Sequence, residues 1–323
     1  MQAIRIDKLG GPEVLKLTNI PTPQPGEGEV LVKIAASGVN FLDIYQRIGQ
    51  NRRELPFVPG LEAAGVVQAV GPNETVFRPG DRVAYTSIPA SYAEYAVIPA
   101  DRLVPVPDSL PLAQAAAVML QGMTAHYLTH TTYPLQPGDS CLIHAAAGGT
   151  GRLLVQLAKL RGATVIGTTS TPEKAEMARQ AGADHVILYT EQDFEAETRR
   201  LTGGQGVNVV YDSVGAATFD RSLRVLKPRG MLALFGQSSG PVPPFDPGRL
   251  GWEGGSLFLT RPSLPHYINT RQELLQRAGD IFGWLAAGQI SPRIERQLPL
   301  ADAAEAHRLL ASRTTAGKLL LIP

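Results

Sequence analysis

The feature that most constrains the fold is the stretch from Ser140 to Phe235, where short branched-apolar runs alternate with helical segments. Strands are expected over 141–144, 164–167, 185–188, 207–211 and 231–235. Helices are expected over 151–160, 172–181, 193–201 and 218–226. Pro172 lies at the start of one helix and Gly182 just past its end, as helix termini prefer. Pro228 is expected to close the last of them. Regular strand–helix alternation admits few arrangements, and the simplest is an α/β fold whose doubly wound parallel sheet is covered by helices on both faces.

The segment His144-Ala145-Ala146-Ala147-Gly148-Gly149-Thr150-Gly151 sits between the first strand and the first helix of that series. Glycine lets a backbone turn tightly and approach a pyrophosphate, and the helix that follows turns free N–H groups and its positive dipole end toward the anion. Ala146 stands where the usual fingerprint has its first glycine, and Gly148, Gly149 and Gly151 follow. With its strand and helix, this variant points to a dinucleotide. An NAD site usually has an acid about 20 residues further on, after the second strand. Here that strand ends in Gly167-Thr168-Thr169-Ser170-Thr171-Pro172-Glu173-Lys174, with no acid at its tip. Small hydroxyl residues leave room for a 2′-phosphate, and Lys174 supplies a point charge, so NADPH is the expected cofactor. Glu173 is the one contrary sign.

The first third is different. Strand-like runs at 30–35, 64–70 and 82–85 are separated by Pro/Gly-rich turns, which suggests a compact, irregular β barrel. Residues 112–129 read as an apolar helix. Amphipathic helices are expected over 271–287 and 302–312, and a final strand over 317–322 that returns to the β-rich part. A chain of 323 residues suits two domains at about 150 residues each.

Composition excludes several classes. Thirty Lys and Arg against 29 Asp and Glu leave no basic excess for a nucleic-acid backbone. A lone cysteine, Cys141, allows neither an intramolecular disulfide nor a cysteine-based zinc cluster. No apolar run reaches the roughly 18 residues of a membrane span, and the first residues do not read as a signal peptide. The expected setting is therefore cytoplasmic, with no membrane partner. Gly236-Gln237-Ser238-Ser239-Gly240 matches a nucleophile elbow, but Pro241, Pro243 and Pro244 deny it the helix such an elbow requires. His126 and His130 share a helical face without a carboxylate or cysteine partner in the sequence pattern, so no metal site is expected there.

Nearly the whole chain resembles the quinone oxidoreductase, zeta-crystallin-like branch of the zinc-independent medium-chain dehydrogenase/reductase family. The resemblance is carried by residues 10–15, 38–43, 60–67 and 80–83, by 144–151 and 210–215, and by 235–240, 260–264 and 316–318. It implies a GroES-like β-rich catalytic domain over 1–123 and 266–323, and a Rossmann domain over 124–265, with the cofactor in the cleft between them and a homodimeric assembly. Zinc-dependent relatives place a cysteine where this chain has Asn40 and a histidine where it has Leu61, so metal independence is expected even though Glu62 remains.

By matching motifs, the resemblance places Gly148, Gly149 and Thr150 at the pyrophosphate turn, and Ser170, Lys174 and Tyr189 around the adenosine phosphate. Asn40, Asp43, Tyr45 and Tyr127 fall on the nicotinamide side, Phe235 and Ser238 near its ribose, and Arg313 elsewhere along the cofactor. Asn40 and Tyr45 are the candidate catalytic residues, as hydrogen-bond donors to a developing oxyanion. Relatives often carry a tyrosine after the Asn40 segment where this chain reads Arg47 to Arg53, so Asn51 or Arg52 is a substitute candidate for facing the substrate. The implied activity is NADPH-dependent reduction of quinones. Its alternatives are C=C reduction of enones or enoyl compounds, or a non-catalytic, crystallin-like protein that binds NADPH or RNA.

Overall fold

The computed structural model describes residues 1–312 and 314–323. The chain divides into two compact units, Met1–Met123 with Tyr267–Pro323, and Thr124–His266.

The first unit opens with an antiparallel ribbon of β1 (Gln2–Arg5) and β2 (Lys16–Asn19). The long β3 (Glu29–Val39) leads through Asn40 into α1 (Phe41–Arg47). Then come β4 (Glu62–Val70), β5 (Arg82–Thr86), β6 (Tyr95–Pro99), β7 (Val104–Pro105) and α2 (Leu112–Tyr127). β3 bonds three strands, β4 along its length, β6 at its start and, at its end, a strand from the C-terminus. The core between them is apolar, with Val30, Val32, Ile34, Val67, Val83, Tyr85 and Ile98 buried.

The second unit alternates β8 (Ser140–Ile143), α3 (Gly149–Leu160), β9 (Thr164–Thr169), α4 (Pro172–Gln180), β10 (His185–Leu188), α5 (Phe194–Leu201), β11 (Val207–Asp212), α6 (Phe219–Arg224), β12 (Leu226–Leu234) and β13 (Phe258–Thr260). All six strands are parallel, in the order β10-β9-β8-β11-β12-β13. Connections run outward in opposite directions from β8 and β11, so the turn after β8 stands at the switch point where open α/β sheets take ligands.

The chain then returns to the first unit through α7 (Arg271–Ala286), β14 (Ile294–Pro299), α8 (Ala303–Ser312) and β15 (Lys318–Ile322). β15 pairs parallel with β14 and antiparallel with the end of β3. The ladder runs β14-β15-β3-β4-β5-β7, and among the described residues no pairing joins its two ends. β6 joins β3 outside this order, so the sheet branches, in keeping with the irregular β-rich unit that the turn spacing suggests.

Two differences from the expected elements lie at helix ends. The helix expected over 218–226 ends at Arg224, and Pro228 lies inside β12. The register slips there, from Val207 opposite Leu226 to Val209 opposite Met231, and a proline fits such a bulge because no ladder donor is demanded of it. The helix expected over 112–129 stops at Tyr127 and widens into a π turn, Leu128–Thr132.

Gly151 in the first turn of α3 is buried against the preceding loop, and a Cβ there would overlap the carbonyl oxygen of Ala145 and stand 3.0 Å from the Ala146 Cα. Backbone cannot yield as a flexible side chain does. Gly151→Ala is therefore expected to destabilise the protein by about 1–3 kcal/mol, the usual cost of overpacking, read as a lower midpoint in urea. It is also expected to weaken NADPH binding in fluorescence titration. An unchanged midpoint would show that the loop adjusts freely.

Candidate active site

The turn that leaves β8 is tied down on both sides. His144 N–H donates to Tyr211 O (3.1 Å) and Ala146 N–H to Thr168 O (3.1 Å), linking the loop to β11 and β9. Ala145 takes a positive φ of 51°, and Gly148 then caps α3 from an extended conformation. Arg152 N–H reaches Gly148 O at 2.8 Å, so the N–H groups of Gly149, Thr150 and Gly151 form the first turn, where a helix has no internal acceptors. Gly148, Gly149 and Thr150 are half-buried at this end. The close backbone approach that Gly151 allows is what a pyrophosphate turn demands.

The ends of β9 and β10 bring Ser170, Lys174 and Tyr189 to one edge. Tyr189 N–H donates to Thr169 O (3.1 Å), and Thr190 Oγ1 donates to Ser170 O (3.1 Å). Thr171 caps α4 by accepting from the Lys174 N–H (3.3 Å), which places the lysine one turn beyond the strand tip. Tyr189 is exposed, whereas Ser170 and Lys174 are half-buried.

Beyond β12, the segment from Phe235 to Gly240 lies alongside the loop after β11. Phe235 N–H donates to Asp212 O (2.8 Å), Ser238 N–H to Ser213 O (3.2 Å) and Ser239 N–H to Val214 O (2.8 Å). The guanidinium of Arg261 holds it from the other side, donating to Leu234 O, Gly236 O and Gln237 Oε1 at 2.8–3.1 Å. No helix follows Ser238, and the next helical turn is the short Pro247–Leu250. The nucleophile-elbow geometry is absent. Asp212 organises this corner: its Oδ1 accepts from Val214 and Gly215 N–H, and its Oδ2 from the Thr218 and Ser222 hydroxyls. Ser222 Oγ also lies 3.0 Å from Nε2 of His144, whose Nδ1 is 3.0 Å from Thr168 Oγ1. Burial lowers the His144 pKa from 6.5.

In the first unit, a buried polar centre surrounds Asn40. Lys318 Nζ donates to Asn40 Oδ1 (2.9 Å) and pairs with Glu62 Oε1. Asn40 Nδ2 donates to the same Glu62 oxygen at 2.7 Å, and Glu62 Oε2 accepts the Leu120 N–H of α2 at 2.6 Å. Glu62 is 0% and Lys318 1% exposed.

A chain of hydrogen bonds continues from Asn40. Its backbone N–H donates to Asp43 Oδ2 (2.8 Å), which also accepts the Tyr92 hydroxyl (2.9 Å). Tyr92 Oη is 3.2 Å from His307 Nε2, and His307 Nδ1 is 3.0 Å from Arg47 Nη1. A guanidinium only donates, so Nδ1 of His307 accepts, Nε2 carries the hydrogen, and Tyr92 passes its own hydrogen to Asp43. Burial, reinforced by Arg47, pushes His307 down to about 3. Burial pushes Asp43 up to about 7, against the pull of the Asn40 N–H, the Tyr92 hydroxyl and Lys318.

Asp43, expected on the nicotinamide side, is thus enclosed, and its hydrogen-bonded oxygen faces Asn40 and Tyr92 inside the protein. Tyr45 is half-buried on α1, its ring 6.3 Å from that of Phe41. Tyr127 is buried at the end of α2. Asn51 and Arg52 are exposed. Arg313 lies outside the described residues. His126 and His130 stack at 4.5 Å, and among the described residues no group of three or more His, Cys, Asp or Glu is placed to hold a metal. The sequence reading missed Lys318, Tyr92, His307 and Asp212 as organising residues. Its available signal was a charged side chain at the head of an apolar strand, Lys318 before Leu319-Leu320-Leu321, and another, Glu62, between Leu61 and Ala63.

A dinucleotide-type turn on a doubly wound sheet, in a chain that also holds a β-rich unit completed by its C-terminal strand, defines a medium-chain dehydrogenase/reductase. The model of the alcohol dehydrogenase GroES-like domain matches residues 26–108, and that of the zinc-binding dehydrogenase domain residues 149–277. The chain belongs to the quinone oxidoreductase branch of this family. It is 44% identical to a 2-haloacrylate reductase of Burkholderia sp over 331 aligned positions, covering 100% of this chain and 99% of that one. The Escherichia coli quinone oxidoreductase solved with NADPH superposes with a TM-score of 0.98 at 42% identity, covering all of both chains. A mycobacterial protein, also solved with NADPH, is 48% identical with a TM-score of 0.96 and the same full coverage.

Asp43 and His307 give opposite pH dependences to stability. The folded state holds the Asp43 proton up to about pH 7, whereas an unfolded carboxyl loses it near 3.8, so this contribution is complete below 3.8 and fades as pH rises to 7. His307 stays neutral down to about 3, whereas an unfolded histidine protonates near 6.5, so its contribution fades as pH falls through that window. In Asp43→Asn the carboxyl slope is removed while the histidine slope remains. The stability of the variant relative to the native protein is expected to rise by about 1.4 kcal/mol per pH unit across the shared window, measured by denaturant unfolding at several pH values. Parallel curves would show that Asp43 does not titrate there.

Proposed function

We propose that this protein is an NADPH-dependent quinone reductase that works without zinc. The observation that carries the reading is similarity along the full chain to a quinone oxidoreductase solved with NADPH. The local features fit that cofactor. The tip of β9 lacks the acid that would bind free ribose hydroxyls, and Lys174 stands one turn further on.

In this reading Gly148, Gly149 and Thr150 receive the pyrophosphate on their N–H groups. Ser170, Lys174 and Tyr189 receive the adenosine phosphate. Phe235 and Ser238 lie at the nicotinamide ribose, Asn40, Tyr45 and Tyr127 at the nicotinamide, and Asp43 acts there through Asn40. Arg313 belongs to the same proposal as a further cofactor contact. NADPH, when bound, supplies a hydride from its nicotinamide ring. The protein orients the acceptor, excludes water, and donates hydrogen bonds from Asn40 and Tyr45 to the oxygen on which negative charge grows. A quinone is strongly electrophilic and its product anion is delocalised, so modest donors suffice.

The similarity to a 2-haloacrylate reductase favours a second reading, C=C reduction of conjugated carbonyl compounds by the same residues. The reading as a non-catalytic binder finds no support in the balanced charge.

The units named in the proposal are a GroES-like catalytic domain and a Rossmann domain, divided near residues 123 and 266, and the assembly is a cytoplasmic homodimer. Support for the dimer comes from the edge strand β13, where Phe258 is 57% exposed and nearby Trp252 97%. Among the described residues no helix is long and apolar enough to cross a membrane.

A panel of quinones, enones and enoyl thioesters with NADPH tests the activity. NADPH oxidation is expected with quinones and is expected to persist after exhaustive chelation. Activity that is lost to a chelator and restored by zinc would overturn metal independence, and oxidation with enones alone would select the second reading. Lys174→Ala is expected to weaken NADPH about ten- to a hundredfold, the worth of one charged hydrogen bond, with little effect on NADH. Equal weakening of both would show that Lys174 does not read the phosphate.

A further inference from the structure

We propose that Lys318 is a positioning residue for the reduction: it fixes and polarises the side-chain amide of Asn40, so that Asn40 presents a strengthened donor to the substrate oxygen. The inference rests on the placement of Asn40 beside the substrate.

A side-chain amide can face either way, and its partners decide. An ammonium only donates, so the atom 2.9 Å from Lys318 Nζ is the Asn40 oxygen. The nitrogen then faces the carboxylate oxygen of Glu62 at 2.7 Å, which only accepts. Lysine and glutamate thus impose the same orientation from opposite sides. The second Nδ2 hydrogen has only a long contact, 3.4 Å to Gly38 O, which a better acceptor displaces. Withdrawal of electron density at Oδ1 by the ammonium strengthens donation from Nδ2, as hydrogen bonds in series polarise one another in a low-dielectric site.

The surroundings are built for this contact. Lys318 is 1% exposed, yet it heads β15 beside the end of β3. Position 38 must lack a side chain, because a Cβ there would overlap Glu62 Oε1 and stand 2.6 Å from Lys318 Cε. Glu62 is anchored in turn by the Leu120 N–H, so the set cannot rotate as a group.

Lys318→Met alone leaves Glu62 charged and unpaired, and its failure to fold would be ambiguous. The informative variant is Glu62→Gln with Lys318→Met, which removes both buried charges together. It is expected to fold and to bind NADPH within about threefold of the native protein. Its kcat for a quinone is expected to fall by about a hundredfold, the loss typical of an impaired oxyanion donor. In an Asn40→Ala background the same two substitutions are expected to cost nothing further, since the lysine acts only through Asn40. Native kcat in the double variant, or an undiminished loss in the Asn40→Ala background, would overturn the proposal.

The side-chain amide resonances of Asn40, identified by their absence in Asn40→Ala, give a readout that needs no substrate. A shifted, well-separated pair is expected in the native protein and its collapse toward ordinary values in the double variant, and an unchanged pair would count against Lys318. Failure of the native protein to reduce any quinone would refute the proposed activity, while these resonances still decide what Lys318 does to Asn40.

Discussion

The buried ion pair between Lys318 and Glu62 is the constraint on which the first unit depends. Two charges taken out of water cost several kcal/mol each, and only close pairing with further hydrogen bonds offsets that. Those bonds come from the Asn40 amide and the Leu120 N–H, and so from four separate places in the chain: the end of β3, the start of β4, α2 and the start of β15. The C-terminal strand must therefore return across the whole sequence to complete a site begun at residue 40. The glycine at position 38 follows from the same requirement.

The second unit solves a similar problem with one carboxylate that, among the described residues, has no cation in contact. Asp212 ends β11 and collects two backbone N–H groups and two hydroxyls, which fixes the loop from Ser213 to Thr218. Ser222 extends the network to the neutral ring of His144, at the point where β8 enters the glycine turn. The turn and the loop after β11 are thereby registered against one another through side chains. In both units a buried acid at a strand terminus gathers donors from separate segments of the chain.

The alternation of the second unit was legible because parallel strands covered on both faces read as short apolar runs, and residues 141–143 and 207–211 are fully buried or nearly so. β2, Lys-Leu-Thr-Asn, and β14, Ile-Glu-Arg-Gln-Leu-Pro, were not recognised, since partly exposed strands carry no such signature. The glycine turn was legible from local spacing. The centre around Asn40 was not, since Glu62 and Lys318 lie 22 and 278 residues from it. The relay through His307 was likewise hidden, with Arg47 260 residues away. Contacts at such separations are properties of topology, and a single sequence reports them only indirectly, through a charge embedded in an apolar strand.

An ammonium and a metal are competing answers to one electrostatic need. Glu62 has both oxygens engaged, and the Leu61 side chain offers no lone pair. A divalent ion at this place would have to displace Lys318 and would then find one amide oxygen and one carboxylate, short of the three protein ligands that catalytic zinc takes. The lysine does not act on a substrate oxygen as a Lewis acid does, because it is 1% exposed, two of its three hydrogens go to Asn40 and Glu62, and its charge is largely neutralised there. What it transmits is orientation and polarisation through one amide. That is too little to stabilise a localised alkoxide, but it suits an acceptor whose negative charge spreads over a conjugated system. In the proposed reaction, the choice of lysine over metal at the base of β15 thus suits conjugated carbonyl acceptors.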